Sequence, residues 1–397
     1  MTIVLLLIST ISPVCGMFCA IANFSKNRLS VKNAIVFGYA CGWGCYGYIG
    51  DVGQDIVRHM QDLDLYKDVL LFQCFDAGRL SVTYTWDVWL WCVARLNNPY
   101  LLQSTAAFLG YTILSYIVFD YSNKSKLQLK QFVPMLLFAL TVISPLDMFI
   151  GIRYANAFLI SLLAIYRYYF AEASKITTAL LFVVSIFLHN AALVIVAMWI
   201  VFPIVRKYKV VAFSVTTFLL LSFTSYTNYM SMISGRNTVV TSLLMSVLDS
   251  ANNYQATSAS FHSLFVRYLQ MAFSGVIILR ALMIFKKKKG TVSCECQKMS
   301  LFSMYGYLVA LCLTTILGTN GNRFFVVAII AGLVPFMESW KIYGFLKAKS
   351  FILLDIIIVG FSLISVMLYV NDMNWGTGSV FSVLWSMCFG AFSKLLF

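Results

Sequence analysis

The sequence predicts an all-α, polytopic integral membrane protein, on the basis of its composition, the length of its apolar runs and the placement of its lysines. Of its 397 residues, 60% are hydrophobic and only 11% are charged, which is more apolar surface than a soluble core can bury. A bilayer core of about 30 Å needs roughly 20 apolar residues per helix. Because apolar runs follow one another along the chain, we expect about 13 transmembrane helices, within a range of about 11 to 14.

The order of these helices follows from the positive-inside rule, which places lysine-rich loops in the cytoplasm. Such loops carry Lys26, Lys32, Lys124, Lys126, Lys130, Lys175, Lys207, Lys209, Lys286, Lys298, Lys341, Lys347, Lys349 and Lys394. Alternating crossings then predict spans near residues 2–22, 33–50, 99–119, 131–149, 154–170, 176–188, 190–205, 210–226, 264–285, 299–317, 324–340, 350–370 and 378–393. We expect one transmembrane domain over residues 1–397, with an outer N-terminus and a cytoplasmic C-terminus.

The first run lacks a preceding basic residue and a convincing cleavage site, so we expect a retained helix rather than a removed signal peptide.

Two regions do not fit a simple alternation of crossings. The aromatic stretch 81–95 would upset the alternation if it crossed, and we interpret it as an interfacial or re-entrant helix. The apolar stretch 176–205 has basic residues at both ends, which favours a short hairpin with His189 at its outer tip. Larger outer loops are expected near residues 51–98 and 227–263.

On this topology the cations separate by type. The outer side holds seven arginines and Lys67, whereas the inner side holds seventeen lysines and four arginines. Arginine offers a planar fork that matches phosphate oxygens two at a time, and lysine suits anionic lipid headgroups. The outer side is therefore expected to bind a phosphorylated ligand. The alternative is that arginine simply snorkels better at helix ends.

Two of the outer arginines share a short context, Gly151-Ile152-Arg153-Tyr154 and Gly321-Asn322-Arg323-Phe324. Each is predicted to open a helix that runs inward, where unpaired N–H groups and the positive end of the helix dipole attract anions. Arg153 and Arg323 together are thus expected to hold one pyrophosphate. Arg236, in the large loop, is a candidate third cation.

His189 interrupts an apolar run, and ionisable residues inside a membrane are costly and often functional. We interpret it as a candidate base, with Asp147 as a second candidate; a helix-capping histidine is the alternative. His59 and His262 lie in polar stretches and are expected to be solvated. Among the aspartates of the first outer loop, only Asp55, together with Arg58, is kept as a possible substrate contact.

No cofactor or metal is expected from the sequence. The ten cysteines show no zinc or redox spacing, and no nucleotide-binding motif occurs. The net charge of +14 is mostly accounted for by cytoplasmic lysines that face anionic lipid, so no nucleic-acid partner is expected.

The chain resembles the EpsG and Wzy-type polymerases of bacterial surface polysaccharides over most of its length. The resemblance rests on the residues 54–60 (QDIVRHM), 151–157 (GIRYANA), 187–193 (FLHNAAL) and 322–324 (NRF), in that order. In the first motif Ile56 follows Asp55, where the family usually has Asp-Tyr.

This resemblance implies a glycosyltransferase in the bacterial cytoplasmic membrane. It would join oligosaccharide repeat units, carried on undecaprenyl pyrophosphate, into a polymer at the outer leaflet, with a chain-length regulator as a possible partner. Arg153 and Arg323 would stabilise the departing pyrophosphate, with Arg236, Arg58 and Asp55 as further substrate contacts. His189 or Asp147 would deprotonate the acceptor hydroxyl.

Three other classes stay open. A polyprenyl-phosphate-dependent glycosyltransferase or ligase would share the outer arginines and would use Asp51 or Asp55 as its base. A membrane O-acyltransferase would use His189 to activate a hydroxyl, but it would leave the outer arginines without a task. A flippase or transporter would carry charged residues deep within several helices, and only Arg280 and Asp355 approach that description.

Overall fold

The fold is all-α throughout the part of the chain that the structure describes. The computed structural model describes residues 2–46, 55–75, 83–142, 148, 151–171, 173–218, 222, 261–286, 292–317, 319–344, 352–375 and 388, and no β-strand occurs among them. The predicted fold class is confirmed in this respect.

The helices follow the predicted apolar runs closely. They are α1 Thr2–Ile11, α2 Pro13–Asn27, α3 Ser30–Gly44, α4 Asp55–Asp62, α5 Tyr84–Arg95, α6 Tyr100–Lys124, α7 Leu129–Val142, α8 Ile152–Phe170, α9 Lys175–Leu188, α10 Ala192–Lys207, α11 Lys209–Phe218, α12 Phe261–Leu282, α13 Cys294–Leu317, α14 Thr319–Tyr343 and α15 Ile352–Trp375. Short 3₁₀ turns cover Leu63–Tyr66, Leu71–Phe75 and Met283–Lys286.

Three of the described helical segments are long and apolar enough to cross a membrane: Tyr100–Lys124, Tyr268–Phe285 and Gly321–Tyr343. Several shorter helices are also apolar, and they expose large hydrophobic side chains, which suits helices that face lipid. These side chains include Leu7, Ile176, Leu180 and Leu353. The chain therefore has the character of a membrane protein.

Three helix boundaries bear on the predicted spans. The expected first span, 2–22, is two helices, because Pro13 starts α2 and Ser12 caps it by accepting a hydrogen bond from the backbone N–H of Cys15. The predicted break at His189 is confirmed, since α9 ends at Leu188 and α10 begins at Ala192. The last predicted span, 378–393, lies outside the described residues except for position 388.

The chain divides into two compact units, the first formed by residues 1–196 and 362–397 and the second by residues 197–361. In the first unit α3 packs directly along α6. Ser104 Oγ donates to the carbonyl of Gly42, 2.6 Å away, and a Cβ added at Gly42 would lie 2.5 Å from the carbonyl oxygen of Ser104. Only glycine allows this approach of the two backbones.

The second unit contains a fully buried ion pair. Arg280 of α12 is 0% exposed, and its Nε donates to Oδ1 of Asp355 in α15 over 2.9 Å. The same guanidinium donates to Oγ of Ser339 in α14, and the indole N–H of Trp340 reaches the same carboxylate oxygen, 3.3 Å away. One arginine therefore ties three helices together.

Candidate functional site

The candidate site is built on α5, the short aromatic helix in the stretch that the sequence predicts to be the first outer loop. Its twelve residues span about 18 Å, less than the bilayer core of about 30 Å. Three hydrogen bonds fix it to its neighbours: Tyr66 Oη donates to Oδ1 of Asp87 over 2.8 Å, Trp91 Nε1 to the carbonyl of Val69 over 2.9 Å, and Trp89 Nε1 to Oγ1 of Thr105 in α6 over 2.9 Å. The helix is therefore a rigid support, as preorganised sites require.

Trp86, on the buried face of α5, is the centre of the site. It is 3% exposed, and Cζ of Arg153 lies 5.7 Å from the centroid of its indole ring. This is a cation–π distance, at which the ring attracts the guanidinium and restricts its orientation. The imidazole of His59 meets the same indole edge to face, with 4.9 Å between the ring centroids. Trp86 thus joins α4, α5 and α8.

His59 is buried and has an acidic partner. The residue is 4% exposed, and its Nδ1 lies 3.3 Å from Oδ2 of Asp62, one turn further along α4. The expectation that His59 is solvated is therefore wrong. The polarity of the surrounding sequence is misleading here, because α4 turns the His59 side chain inward against Trp86.

Arg153 lies at the N-terminus of α8, as the sequence predicted. Gly151 is the N-cap and Ile152 the first helical residue, so Arg153 is in the first turn, where backbone N–H groups have no helical acceptor. A Cβ added at Gly151 would lie 2.5 Å from Cε1 of Tyr154, which means that glycine lets the tyrosine ring fold back beside the helix start. A half-buried arginine and the helix dipole therefore act at the same place.

His189 lies beside this helix start. Its ring centroid is 6.4 Å from that of Tyr154, and the rings meet edge to face. The contact between the rings of Tyr84 and Phe187, whose centroids are 5.3 Å apart, brings the start of α5 to the end of α9. The structure thus places His189 against Tyr154, the residue that follows Arg153 in the first turn of α8.

The hydrogen bonding of His189 indicates its tautomer. Nδ1 accepts a hydrogen bond from the backbone N–H of Ala191, 3.1 Å away, so a neutral ring carries its proton on Nε2. In that form Nε2 is a donor. A base role requires the ring to give up the bond from Ala191, whereas a donor role uses the geometry as it stands.

No family model, curated protein or solved structure matches this chain. Among the described residues no group of three or more His, Cys, Asp or Glu side chains is arranged to hold a metal ion.

The other predicted site residues are placed as follows. Asp55 is the first residue of α4, and Arg58 is exposed on the same helix. Arg323 belongs to the second compact unit, half-buried, and it is the fifth residue of α14 because that helix begins at Thr319 rather than near residue 324. The expectation that Arg323 opens its helix is therefore wrong. Asp147 and Arg236 lie outside the described residues.

Two residues of the site were missed by sequence reasoning in this role, Trp86 and Asp62. A tryptophan in a short aromatic helix is typical of an interfacial anchor, and an aspartate in an acidic loop is typical of a solvated surface. The only local signal is the spacing of His59 and Asp62, three residues apart, which places both side chains on one side of a helix.

Proposed function

We propose that the protein is a membrane glycosyltransferase of the polysaccharide-polymerase class, which takes a saccharide from a polyprenyl pyrophosphate carrier and transfers it to a second carrier-linked saccharide. The proposal includes about 13 membrane crossings, with the first outer loop on the non-cytoplasmic side of a bacterial cytoplasmic membrane. That Arg153 and Arg323 hold one pyrophosphate stays a prediction of the sequence alone.

The observation that carries this proposal is the position of Arg153. Its guanidinium lies over Trp86 in the first turn of α8, next to Tyr154 and, through it, to His189. Such a site combines a cation, the positive end of a helix dipole and an imidazole, and these are groups that stabilise charge on a phosphate leaving group. The bond to the carrier already stores the energy for transfer. The enzyme therefore has to bind and orient the two saccharides and stabilise the departing pyrophosphate.

Each side chain then has a task. Arg153 holds the pyrophosphate oxygens as two of its N–H groups donate in parallel. His189 donates from Nε2 to the same leaving group, in agreement with its bond from Ala191. The acceptor hydroxyl must also lose its proton, and Asp147 remains the predicted base for that step.

The first experiment is mass spectrometry of the polyprenyl-linked saccharides from cells that lack the gene, with the complemented deletion as control. A complete single repeat unit accumulating on its carrier is the expected result. A truncated repeat would identify a glycosyltransferase that builds the unit, a repeat lacking only an acyl group would identify an acyltransferase, and an unchanged profile would overturn the proposal.

The second experiment tests Arg153 in the complemented strain. Arg153→Lys keeps the charge but removes the planar fork, and one lost charge-assisted hydrogen bond costs about 1.5 to 3 kcal/mol, which is roughly 10- to 100-fold in rate. The matched control is Arg95→Lys, because Arg95 also lies over a tryptophan, with Cζ 5.3 Å from the ring of Trp91. Polymer of normal length and amount in Arg153→Lys would remove Arg153 from the mechanism.

A further inference from the structure

A cavity of about 250 Å³ lies at the far end of α5 from Trp86, between α4, the 3₁₀ turn after it and the start of α6. Its polar lining consists of Gln61, Asp64, Lys67, Asn97 and Asn98. The cavity is smaller than the roughly 300 to 1,000 Å³ that drug-sized ligands occupy, and it therefore suits a single ring. We propose that this cavity binds one sugar residue of the saccharide that the enzyme processes.

The chemistry of the lining selects a neutral polyhydroxyl ligand. Three of the five polar side chains are amides, which donate and accept at once, as sugar hydroxyls do. The two charged side chains neutralise each other, because Nζ of Lys67 lies 2.7 Å from Oδ1 of Asp64. A phosphate or a carboxylate would need a net positive lining. The lining instead favours a neutral ligand whose hydroxyl groups both donate and accept hydrogen bonds.

The walls of the cavity complete the fit to a sugar ring. They are formed by the apolar side chains of Val57, Met60, Leu63, Val93, Ala94 and Pro99. A pyranose has C–H faces as well as hydroxyls, so it needs apolar contact together with a few convergent polar groups, as small-molecule sites generally provide.

The three amides are presented in different ways. Asn98 is fixed in the wall, because its Nδ2 donates to Oη of Tyr46 over 2.7 Å and its Oδ1 accepts from the backbone N–H of Tyr100 over 3.2 Å. Asn97 is exposed and has a left-handed backbone with φ of 48°, where α5 ends. Gln61 is also exposed. The side chains of Gln61 and Asn97 are therefore the accessible contacts.

The cavity and the Arg153 site share the same support. Trp86 and Val93 are both buried on α5 and lie seven residues apart, which is about 10 Å along the helix axis. The proposed pyrophosphate position at Arg153 and the cavity are therefore about two helical turns apart along α5. This part of the inference rests on the proposed function, whereas sugar binding by the cavity can be measured without the reaction.

The test is saturation-transfer difference NMR on the purified full-length protein, in a zwitterionic detergent that has no sugar headgroup. The probes are D-glucose, D-galactose and N-acetyl-D-glucosamine, each measured alone. At least one is expected to bind, and Gln61→Leu and Asn97→Gly should each lower its affinity about 3- to 10-fold, the effect of one net hydrogen bond. Glycine at 97 keeps the left-handed backbone while it removes the amide.

The matched control is Lys126→Gly, because Lys126 has a similar left-handed backbone, with φ of 52°, at the other end of α6. It should bind the probe like the unaltered protein. No signal from any of the three sugars, or unchanged affinity in both cavity variants, would overturn the inference. Neither result depends on carrier-linked saccharides, so binding with an unchanged carrier profile in the deletion strain would reject the proposed function and leave the sugar site standing.

Discussion

The guanidinium of Arg153 lies over the indole ring of Trp86, with 5.7 Å between Cζ and the ring centroid. Arg153 opens α8 and Trp86 is on α5, so the contact orients the cation of one helix by the aromatic ring of another. The aromatic helix is itself held near its middle by two hydrogen bonds, from Trp89 to α6 and from Trp91 to the carbonyl of Val69. An arginine that would otherwise be a flexible side chain is thereby preorganised.

Removing the indole should loosen Arg153. For Trp86→Leu we expect polymer formation to fall about 2- to 30-fold, because a cation–π contact contributes about 0.5 to 2 kcal/mol. Trp86→Phe keeps an aromatic face and should fall less. The measurement is polymer formed per unit of membrane-inserted protein, and equal activity in the two variants would reject the ring's role in orienting Arg153.

His59 should act on the site through packing. His59→Phe keeps an aromatic ring against Trp86 and should retain most of the activity, whereas His59→Ala opens a gap beside the indole and should lose it. The comparison is made by activity and by thermal unfolding of both variants in detergent. If His59→Phe is as inactive as His59→Ala while equally folded, His59 handles a proton instead.

The tautomer of His189 predicts a pH dependence. Nε2 carries a proton in both the neutral and the protonated ring. Acidification therefore leaves this donor in place, even though a protonated Nδ1 no longer accepts from Ala191, and activity should not fall on account of His189. A base would lose its function as the ring gains a proton. We expect His189→Gln, whose amide can donate, to retain more activity than His189→Leu. An acidic loss of activity that is present in the unaltered protein and absent in His189→Gln would identify a base.

The buried pair of Arg280 and Asp355 predicts strong non-additivity in stability. Arg280→Met or Asp355→Leu alone leaves an uncompensated buried charge and should lower the free energy of unfolding by about 3 to 5 kcal/mol. The double variant should be far less destabilised than either. Thermal unfolding in detergent measures all three, with the partly exposed pair of Glu295 and Lys298 as control, where Lys298→Ala should cost less than about 1 kcal/mol. Additive single effects would contradict the pairing.

The close packing of α3 on α6 predicts intolerance at Gly42. Gly42→Ala places a Cβ 2.5 Å from the carbonyl oxygen of Ser104, and relieving this overlap should cost about 1 to 3 kcal/mol. Gly360→Ala is the matched control, because nothing lies within 4 Å of a Cβ added there, and alanine favours a helix by roughly 0.5 to 1 kcal/mol. The first variant should therefore unfold at a lower temperature than the unaltered protein and the second should not.

The sequence by itself determined the helical class, most helix boundaries and the break at His189. These features depend on interactions between residues that are close along the chain. They are the length of each apolar run, the proline that starts α2, and the polar pair His189 and Asn190, which ends an apolar helix. The helix start at Arg153 was predictable for the same reason. The start of α14 was predicted too far along the chain, near residue 324, because Thr319 and its neighbours extend the helix upstream of the apolar run.

Only the tertiary structure decided which side chains meet. The burial of His59 and the place of Trp86 between α4 and α8 depend on packing between segments that are distant along the chain. Hydrophobic periodicity tells which face of a helix is buried, but it carries no information about which neighbour covers that face. For the same reason the cavity beside Asn97 and Gln61 became visible only when α4, α5 and α6 were placed together.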